Sequence, residues 1–272
     1  MDIALHQVTA LDIGPLELVD MAADNGCARV CIFTNAPALP TEDGGVDLGF
    51  PMVTRTLLPA FQAKLAERGL AVGNIEFFPL DIDPPFEQYR EGLAIGGELG
   101  AVRAVVHMFD PDLDRGAASL ARFAAMAAEY GLDVGIEFMP LSPACPTAGR
   151  AADYIRASGD GNVRIGVDAL HLARSGGSPA DIAAMDPSMI GYCQLCDGPL
   201  GVKSDYLAEA LDRKVPGTGD FPLVEMIRVL PLHTDFDIET PLLGLANAGV
   251  SAVERVRKAV EGARRVMQEG GR

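Results

Sequence analysis

Hydrophobic residues along this chain fall into short runs rich in valine, isoleucine and aromatic residues, and each run is followed by a longer segment with apolar residues at helical spacing. This alternation is typical of βα units around a parallel sheet. Eight such runs predict strands at residues 2–7, 28–34, 71–78, 103–108, 133–138, 163–168, 190–196 and 235–240. Eight strands with interleaved helices in 272 residues favour one α/β domain over residues 1–272, a single (β/α)8 TIM barrel, over a doubly wound sheet.

The segments between the strands support this prediction. Residues 119–131 (SLARFAAMAAEYG) and 251–270 (SAVERVRKAVEGARRVMQEG) carry apolar residues at helical spacing and stop at glycine, so both are predicted to be outer helices. The long unassigned segment is 199–222, PLGVKSDYLAEALDRKVPGTGDFP, after the seventh strand. In a barrel it would lie over the C-terminal mouth, where active sites are found, and loops of this length are often functional.

Charge and cysteine content exclude several classes of protein. The chain has 38 acidic and 22 basic residues and a formal charge of −16, which would repel a phosphate backbone, so nucleic acid is not an expected partner. Its five scattered cysteines resemble those of a reduced cytosolic protein. The N-terminal sequence lacks the basic and apolar regions of a signal peptide, and no apolar stretch reaches 18 residues. A cytoplasmic protein without a membrane partner is expected.

Four consecutive predicted strands end in oxygen-bearing side chains, namely Glu137, Asp168, Gln194 and Glu239. Catalytic groups of barrel enzymes project from the C-terminal ends of the strands. Three converging carboxylates would repel one another and raise their own pKa values unless a cation lay between them. A set of oxygen ligands suits Mn²⁺ or Mg²⁺ better than Zn²⁺. We therefore expect one divalent metal ion at this mouth.

The motifs around these residues carry a family resemblance. GIEF at Glu137, GVDALH with Asp168-x-x-His171, QLCD at Gln194, a PGTGDFP turn and DIETP at Glu239 resemble the xylose isomerase-like superfamily of sugar phosphate isomerases and epimerases, chiefly over residues 130–241. The resemblance implies that the four strand-end residues bind the metal and that Glu137 and Glu239 exchange protons with a small polyhydroxylated substrate. It also implies a homo-oligomer, because members often form dimers or tetramers.

The reaction type stays open because of Gln194. Many sugar epimerases of the family carry histidine at that position, whereas glutamine resembles the bacterial 3-dehydroshikimate dehydratases. The alternative to an isomerase or epimerase is therefore a metal-dependent lyase, including a deglycosidase of 3-oxo-glycosides that acts with an accessory subunit. A DNA-repair endonuclease of the same superfamily would need many histidines and a basic groove, whereas this chain has four histidines and is acidic. A non-catalytic barrel would not be expected to keep converging carboxylates.

Four further side chains near the strand ends are candidates for positions in the pocket. His171 is expected beside a substrate oxygen or the metal, although a helix N-terminal histidine bonded to the backbone is the alternative. His107, at the end of the fourth strand, is a candidate proton donor. Glu76, near the end of the third strand, either contacts the substrate or is a barrel-lining residue paired with neighbours. His6, at the end of the first strand, is expected at the floor or rim of the pocket.

The segment at and after the seventh strand supplies three more candidates. Lys203 and Arg213 are cations in the 199–222 loop, and either could bind a substrate carboxylate or phosphate; arginine could do so with two parallel hydrogen bonds. Asp197 either orients a substrate-binding group or is a turn residue before Gly198-Pro199.

Two features of the strands raise further questions. Cys193 and Cys196 form a Cys-x-x-Cys motif, but in a strand they point to opposite faces, so we predict buried packing residues and not a metal or redox pair. Asp235 and Asp237 share the parity of Glu239 and should also face the barrel interior. Three inward carboxylates would be costly without partners, so a later strand start or a bulge is an open alternative.

Overall fold

In the computed structural model, residues 2–36, 38–39, 46–47, 49–201 and 205–272 are described. The barrel strands are β1 Ile3–His6, β2 Arg29–Phe33, β3 Ala71–Leu80, β4 Arg103–Met108, β5 Asp133–Glu137, β6 Val163–Asp168, β7 Ile190–Leu195 and β8 Asp235–Ile238. These eight parallel strands form a closed barrel in the order β1-β8-β7-β6-β5-β4-β3-β2. The chain is therefore a single (β/α)8 barrel, as the alternating pattern predicts.

Helices follow the strands along the chain. They are α1 Pro15–Asp24, α2 Leu58–Arg68, α3 Phe86–Glu98, α4 Leu113–Ala128, α5 Ala148–Ser158, α6 Ala169–Arg174, α7 Pro179–Ala183, α8 Tyr206–Leu211, α9 Leu223–Val229, α10 Leu243–Asn247 and α11 Ala252–Glu269. Short 3-10 turns cover Gln7–Ala10 and Pro187–Met189, and a small antiparallel pair joins Ala38–Leu39 to Val46–Asp47. Among the described residues, no helix is long and apolar enough to cross a membrane.

The two helices predicted most clearly are present. The helix α11 is two residues shorter than the predicted segment and begins after Ser251, whose hydroxyl accepts a hydrogen bond from the Glu254 N–H. The helix α4 starts six residues before the predicted segment, because the Asp112 side chain accepts a hydrogen bond from the Arg115 N–H and so caps the first turn. Both helices bury an apolar face against the barrel.

A large aromatic side chain fills part of the barrel interior. Tyr192 of β7 is fully buried, and a Cβ atom added at Gly166 or Gly135 would lie 2.2 Å or 2.7 Å from a Tyr192 ring atom. Glycine at these two positions of β6 and β5 therefore makes room for the ring. The Arg103 guanidinium lies 5.0 Å from the centroid of the same ring.

The acidic residues of β8 have polar partners on β2, β3 and β4, which reach them across the barrel interior. Asp235 pairs with Arg103 and with Arg29, whose Nη1 lies 3.0 Å from its Oδ1. Asn74 Nδ2 donates a 2.6 Å hydrogen bond to Asp237 Oδ2, and Asn74 Oδ1 accepts a 2.8 Å hydrogen bond from Arg103 Nη1. Burial raises the pKa of Asp237 to about 6. The strand starts at Asp235 as predicted, so the partners, and not a later start, explain the carboxylates.

The loop after β7 crosses the C-terminal mouth. It contains the short helix α8, and Glu209 of this helix is buried and paired with Arg174 of α6. Asp197 and Lys214 form an isolated antiparallel bridge, with N···O distances of 3.0 Å and 2.8 Å between their backbones. These contacts place the loop over the strand ends. Lys203, a predicted cation of this loop, lies outside the described residues.

Candidate active site

A cavity of about 100 Å³ lies at the C-terminal mouth of the barrel. Its polar lining comes from the strands, helix α6 and the loop after β7, and consists of Glu76, His107, Glu137, His171, Tyr206, Arg213 and Glu239. Its apolar lining includes Val8, Phe33, Phe50, Phe77, Met139, Leu141, Leu207 and Leu211. The cavity therefore combines a titratable cluster with walls that exclude water.

The four predicted ligand residues lie together at this mouth. Glu137 and Asp168 end β5 and β6, Gln194 is the penultimate residue of β7, and Glu239 follows β8. Asp168 is in register with Gln194, and the Glu239 N–H donates to Leu195 O at 3.0 Å, so the residue after β8 continues the ladder. Gln194 and Asp168 are fully inaccessible, and the two glutamates are buried. All four residues are therefore at the same end of the barrel, where Glu137 and Glu239 line the cavity and Asp168 and Gln194 do not, and their role as metal ligands stays a prediction.

Glu137 lies at the centre of the polar cluster. Its Oε1 is 3.0 Å from His171 Nε2, and its Oε2 is 4.0 Å from His107 Nε2. Burial raises the pKa of Glu137 well above its ordinary value, and the nearby charges of Glu239, Glu76 and Asp168 raise it further. Without a bound cation, Glu137 therefore holds its proton more tightly than an exposed glutamate does.

The Arg213 side chain bridges Asp168 and Glu239. Its Nη1 donates to Asp168 Oδ2 at 2.6 Å, and its Nη2 donates to Glu239 Oε1 at 2.8 Å. Although burial alone would raise the pKa of Asp168, the charges of Arg213 and His171 hold that pKa below its ordinary value. Burial raises the pKa of Glu239 despite the opposing charge of Arg213. The predicted substrate cation therefore contacts two of the predicted metal ligands.

The side-chain amide of Gln194 has a hydrogen-bond partner at its nitrogen but not at its oxygen. Its Nε2 donates to Glu239 Oε2, whereas its buried Oε1 has no hydrogen-bond partner among the described residues. The assignment of amide oxygen and nitrogen follows from such networks, and the opposite assignment would bring two oxygens together at Glu239. In either orientation an oxygen of Gln194 lacks a donor, which is what a metal-binding carbonyl requires before the metal is bound.

Two three-residue sets bring ligand atoms within 4.8 Å of one another: Glu137 with Asp168 and His171, and Glu76 with His107 and Glu137. Both sets are buried and include a histidine nitrogen beside carboxylate oxygens. The residues therefore fit a divalent metal, and their donor chemistry is broader than the all-oxygen set that the sequence predicts. Glu239 belongs to neither set of described residues, which agrees with the arginine bridge between it and Asp168.

His171 is a helix N-terminal residue with a backbone hydrogen bond, and its ring also lies beside a predicted metal ligand, so features of both predicted alternatives are present. Its backbone N–H donates to Asp168 Oδ1 at 2.8 Å, so Asp168 caps α6, while its ring lies between the Tyr206 hydroxyl at Nδ1 and Glu137 at Nε2. Burial lowers the pKa of His171 despite the opposing charge of Asp168. A neutral ring that accepts from Tyr206 and donates to Glu137 satisfies all three groups.

His107 and Glu76 present unpartnered atoms at the cavity. Both ring nitrogens of His107 lack a hydrogen-bond partner among the described residues. The same is true of Glu76 Oε1. The His107 ring stacks on Phe77 at a centroid distance of 4.0 Å, and burial lowers its pKa well below the ordinary value. Glu76 Oε2 lies 3.1 Å from His6 Nε2. Burial lowers the pKa of His6, but the charges of Glu76 and Glu239 outweigh it and raise that pKa to about 10.

The prediction that Asp197 contacts the substrate is not supported by its position. Asp197 is absent from the cavity lining, and its carboxylate accepts backbone hydrogen bonds at both oxygens: Oδ1 from Gly198 and Phe221, Oδ2 from Gly217 and Gly219. The N···O distances are 2.8–3.1 Å. The carboxylate is thus fully used in holding the PGTGDF turn, as the turn-residue alternative implies.

We expect Asp197→Asn to lower the free energy of unfolding by about 3 kcal/mol, because an amide nitrogen would face two of these donors. Urea unfolding of the variant would measure this loss. The matched control is Asp220→Asn, since Asp220 is an exposed carboxylate of the same loop and should leave the unfolding midpoint unchanged. A higher KM at unchanged stability would instead indicate a substrate contact.

The Cys-x-x-Cys motif forms no redox or metal pair. Cys193 and Cys196 are both free and fully buried, and burial raises the pKa of each thiol above its ordinary value. Cys196 Sγ lies 3.5 Å from Arg213 Nη1. The prediction of buried packing residues is confirmed.

Sequence reasoning missed Tyr206 and the aromatic wall. Tyr206 is the first residue of α8, and Asp205 before it caps the helix by accepting from the Ala208 N–H, so the SDYLAEAL segment carried a helix signal that was not used. Phe77 follows Glu76 directly, and it forms a small apolar cluster with Val8, Phe33 and Met139. The alternation of side-chain directions along β3 could have indicated that Phe77 lies at the mouth. No local signal in the sequence identifies the residues that pack against it.

Comparisons with known proteins agree with this geometry. The family model described as xylose isomerase-like TIM barrel matches residues 19–243, so the resemblance extends well into the N-terminal half. No curated protein matches the chain.

Solved structures with the same fold include three at low identity. A xylose isomerase domain protein from Alicyclobacillus acidocaldarius is 19% identical, covers 100% of both chains and has a TM-score of 0.74. The IOLI protein, crystallised with a bound zinc atom, is 15% identical over 98% of each chain with a TM-score of 0.77. An L-ribulose 3-epimerase is 16% identical, covers 100% of this chain and 96% of its own, and has a TM-score of 0.71. At these identities the likeness shows the fold alone.

Proposed function

Because the chain belongs to the xylose isomerase-like TIM-barrel family, we propose that it is a divalent-metal-dependent isomerase or epimerase acting on a small polyhydroxy carbonyl compound, a sugar or a relative of one. The observation that carries the proposal is the convergence of Glu137, Asp168, Gln194 and Glu239 on one buried mouth, with an oxygen of Gln194 left without a donor. Mn²⁺ or Mg²⁺ is the metal we expect, held by these four residues.

When bound there, the metal would polarise a substrate carbonyl and acidify the adjacent C–H bond. Glu137 is suited to remove that proton, because its carboxylate lines the cavity and its Oε1 lies 3.0 Å from His171 Nε2, which orients it. Glu239 reaches the same cavity from β8, which is separated from β5 by two strands. The two glutamates approach the cavity from different directions, so one can remove a proton from one face and the other can return a proton to another.

The histidines supply neutral polar contacts to the substrate. His107 keeps both nitrogens free for a substrate oxygen, and its lowered pKa keeps it uncharged. His171 is positioned by Tyr206 and Asp168 and supports Glu137 through its Nε2. Glu76 has one free oxygen that can accept from a hydroxyl. These contacts would orient a compact molecule, because the cavity measures about 100 Å³.

A lyase is the second candidate, and Gln194 favours it. The same base and metal would lead to elimination if a β-substituent left in place of reprotonation, so Glu137, Asp168 and Glu239 would serve either outcome. Glutamine at the third ligand position resembles the 3-dehydroshikimate dehydratases, and a deglycosidase with an accessory subunit belongs to the same class. The homo-oligomer and the cytoplasmic location stay predictions.

The test is a solvent-exchange experiment. The purified protein is stripped with EDTA, reloaded with Mn²⁺, Mg²⁺ or Zn²⁺, and incubated in D₂O with a panel of ketoses and with 3-dehydroshikimate. We expect deuterium incorporation or an epimer with at least one ketose, lost in EDTA and restored by Mn²⁺ or Mg²⁺. Elimination product without exchange would select the lyase, and full activity in EDTA would contradict both candidates.

A further inference from the structure

We infer that Arg213 is an internal counter-cation that competes with the divalent metal for Asp168 and Glu239, so that metal binding must displace its guanidinium toward the substrate cavity. This inference rests on the metal site of the proposed function and adds a residue that sets the affinity of that site. It replaces the simpler expectation that Arg213 only binds a substrate anion.

The contacts of Arg213 are those of a bridge between two ligands. Its side chain is 3% exposed, and its two terminal nitrogens divide between Asp168 Oδ2 at 2.6 Å and Glu239 Oε1 at 2.8 Å. Nη1 also donates to the Glu239 carbonyl at 3.1 Å, and Nε donates to Ala210 O at 3.0 Å. Charge-assisted hydrogen bonds between buried groups are strong, so this arrangement stabilises the two carboxylates when no metal is bound.

With this bridge in place, the four predicted ligands are not all close enough together to bind one metal ion. Glu137 and Asp168 have ligand atoms within 4.8 Å of each other, but Glu239 does not join that set of described residues. Asp168 and Glu239 come from β6 and β8, with β7 between them, and the guanidinium occupies the space where their oxygens would converge. A divalent ion that drew Glu239 toward Asp168 would have to move Arg213 away from at least one carboxylate.

Displacement of the guanidinium does not require the loop to unfold. The Arg213 N–H donates to Pro241 O at 2.8 Å, and Lys214 is held by the bridge to Asp197, so the backbone is fixed on both sides. The arginine side chain has several rotatable bonds and already lines the cavity. On displacement its charge would move into the cavity, which would then attract an anionic or strongly polar substrate group.

The matched control for Arg213 is Arg174. Arg174 is also 3% exposed and binds a buried carboxylate, Glu209, through two nitrogens, but it contacts none of the four ligands. Its replacement loosens the same loop, because Glu209 belongs to α8, without removing the competing charge. Arg213→Met removes that charge, whereas Arg213→Lys keeps a cation that cannot bridge two carboxylates in the same planar geometry.

The experiment is calorimetric titration of the EDTA-stripped full chain with MnCl₂ for the wild type, Arg213→Met, Arg213→Lys and Arg174→Met. We expect Arg213→Met to lower the Mn²⁺ Kd on the order of 5–150-fold, the usual range for coupled binding, with Arg213→Lys intermediate. Arg174→Met should bind Mn²⁺ like the wild type. Thermal unfolding in EDTA and in saturating Mn²⁺ gives a second measure, because tighter metal binding enlarges the rise in Tm.

Three results would overturn the inference. An unchanged or higher Kd in both Arg213 variants would mean that Arg213 orients the ligands and does not compete for them. An equal gain in affinity for Arg174→Met would assign the effect to loop loosening. Absence of Mn²⁺ binding in every chain would contradict the metal site itself, and with it the proposed function, whereas binding by Arg213→Met alone would support the competition strongly.

Discussion

Glu137→Gln is expected to lower the rate of deuterium incorporation into the substrate by at least about 10²–10⁴-fold, the usual contribution of a positioned general base. Glutamine keeps the shape of the side chain and can still accept from His171, but it cannot remove a proton. The measurement is the initial rate of exchange in D₂O with the Mn²⁺-loaded enzyme and whichever panel compound the wild type processes.

Stability separates this loss from unfolding. The pKa of Glu137 is raised in the folded state, so the folded protein holds a proton that the unfolded chain releases as the pH rises above the ordinary value. The stability that this group contributes is therefore present at low pH and is lost as the pH rises through the folded pKa. In EDTA at neutral pH, Glu137→Gln should accordingly be at least as stable as the wild type.

The matched control is Asp110→Asn. Asp110 is fully buried and bound to Arg115 by two hydrogen bonds of 2.6 Å and 2.7 Å, but it lies outside the cavity lining. This variant should lose stability while its exchange rate stays within about twofold of the wild type, because it leaves the proton-transfer groups untouched. Retention of full exchange by Glu137→Gln would remove Glu137 from the reaction and shift the base to Glu239.

The fold was predictable because its signals are local. Each strand is a short β-branched run, and each helix repeats its apolar positions at helical spacing, so counting eight runs was enough to choose a barrel. The strand ends were predictable for the same reason: parallel strands of a closed barrel bring their carboxyl ends to one mouth. Glu137, Asp168, Gln194 and Glu239 could therefore be placed together from the sequence pattern alone.

Pairing between distant residues was not predictable. The sequence named no partner for Asp235 or Asp237 and left a later strand start or a bulge open, whereas Arg103 and Asn74 of other strands pair with them inside the barrel. Arg213 was predicted to bind a substrate carboxylate or phosphate, and nothing in its sequence neighbourhood showed that its guanidinium would bridge two strand ends. Such partners are set by barrel register and loop closure, which a single sequence does not encode in local patterns.

His107→Leu is expected to abolish most of the activity while leaving the protein as stable as the wild type or more stable. Both nitrogens of His107 are buried without a partner among the described residues, and an unsatisfied buried polar group costs about 1–3 kcal/mol. Leucine removes that cost and keeps an apolar contact with Phe77. The free energy of unfolding should therefore rise by about 1 kcal/mol, even though the stacked ring contact at 4.0 Å is lost.

The activity of His107→Leu should fall, whereas its stability should rise. If His107 donates to or accepts from a substrate oxygen, its loss leaves that oxygen unpaired in an apolar cavity, and kcat/KM should fall by about 10²–10⁴-fold. Exchange kinetics and thermal unfolding, measured on the same preparation, test both parts. A histidine kept for packing alone would give the reverse result, with stability lost and activity retained.

The control for this variant is His233→Leu. His233 is exposed, hydrogen-bonds to the Ile190 carbonyl at 3.0 Å and is not part of the cavity lining, so its replacement should change neither property strongly. A buried, unpartnered imidazole has a cost in stability, and a partner that arrives with the substrate would account for that cost. A rise in Tm together with a fall in kcat/KM would identify His107 as such a group, since no structural role for the ring moves the two quantities in opposite directions.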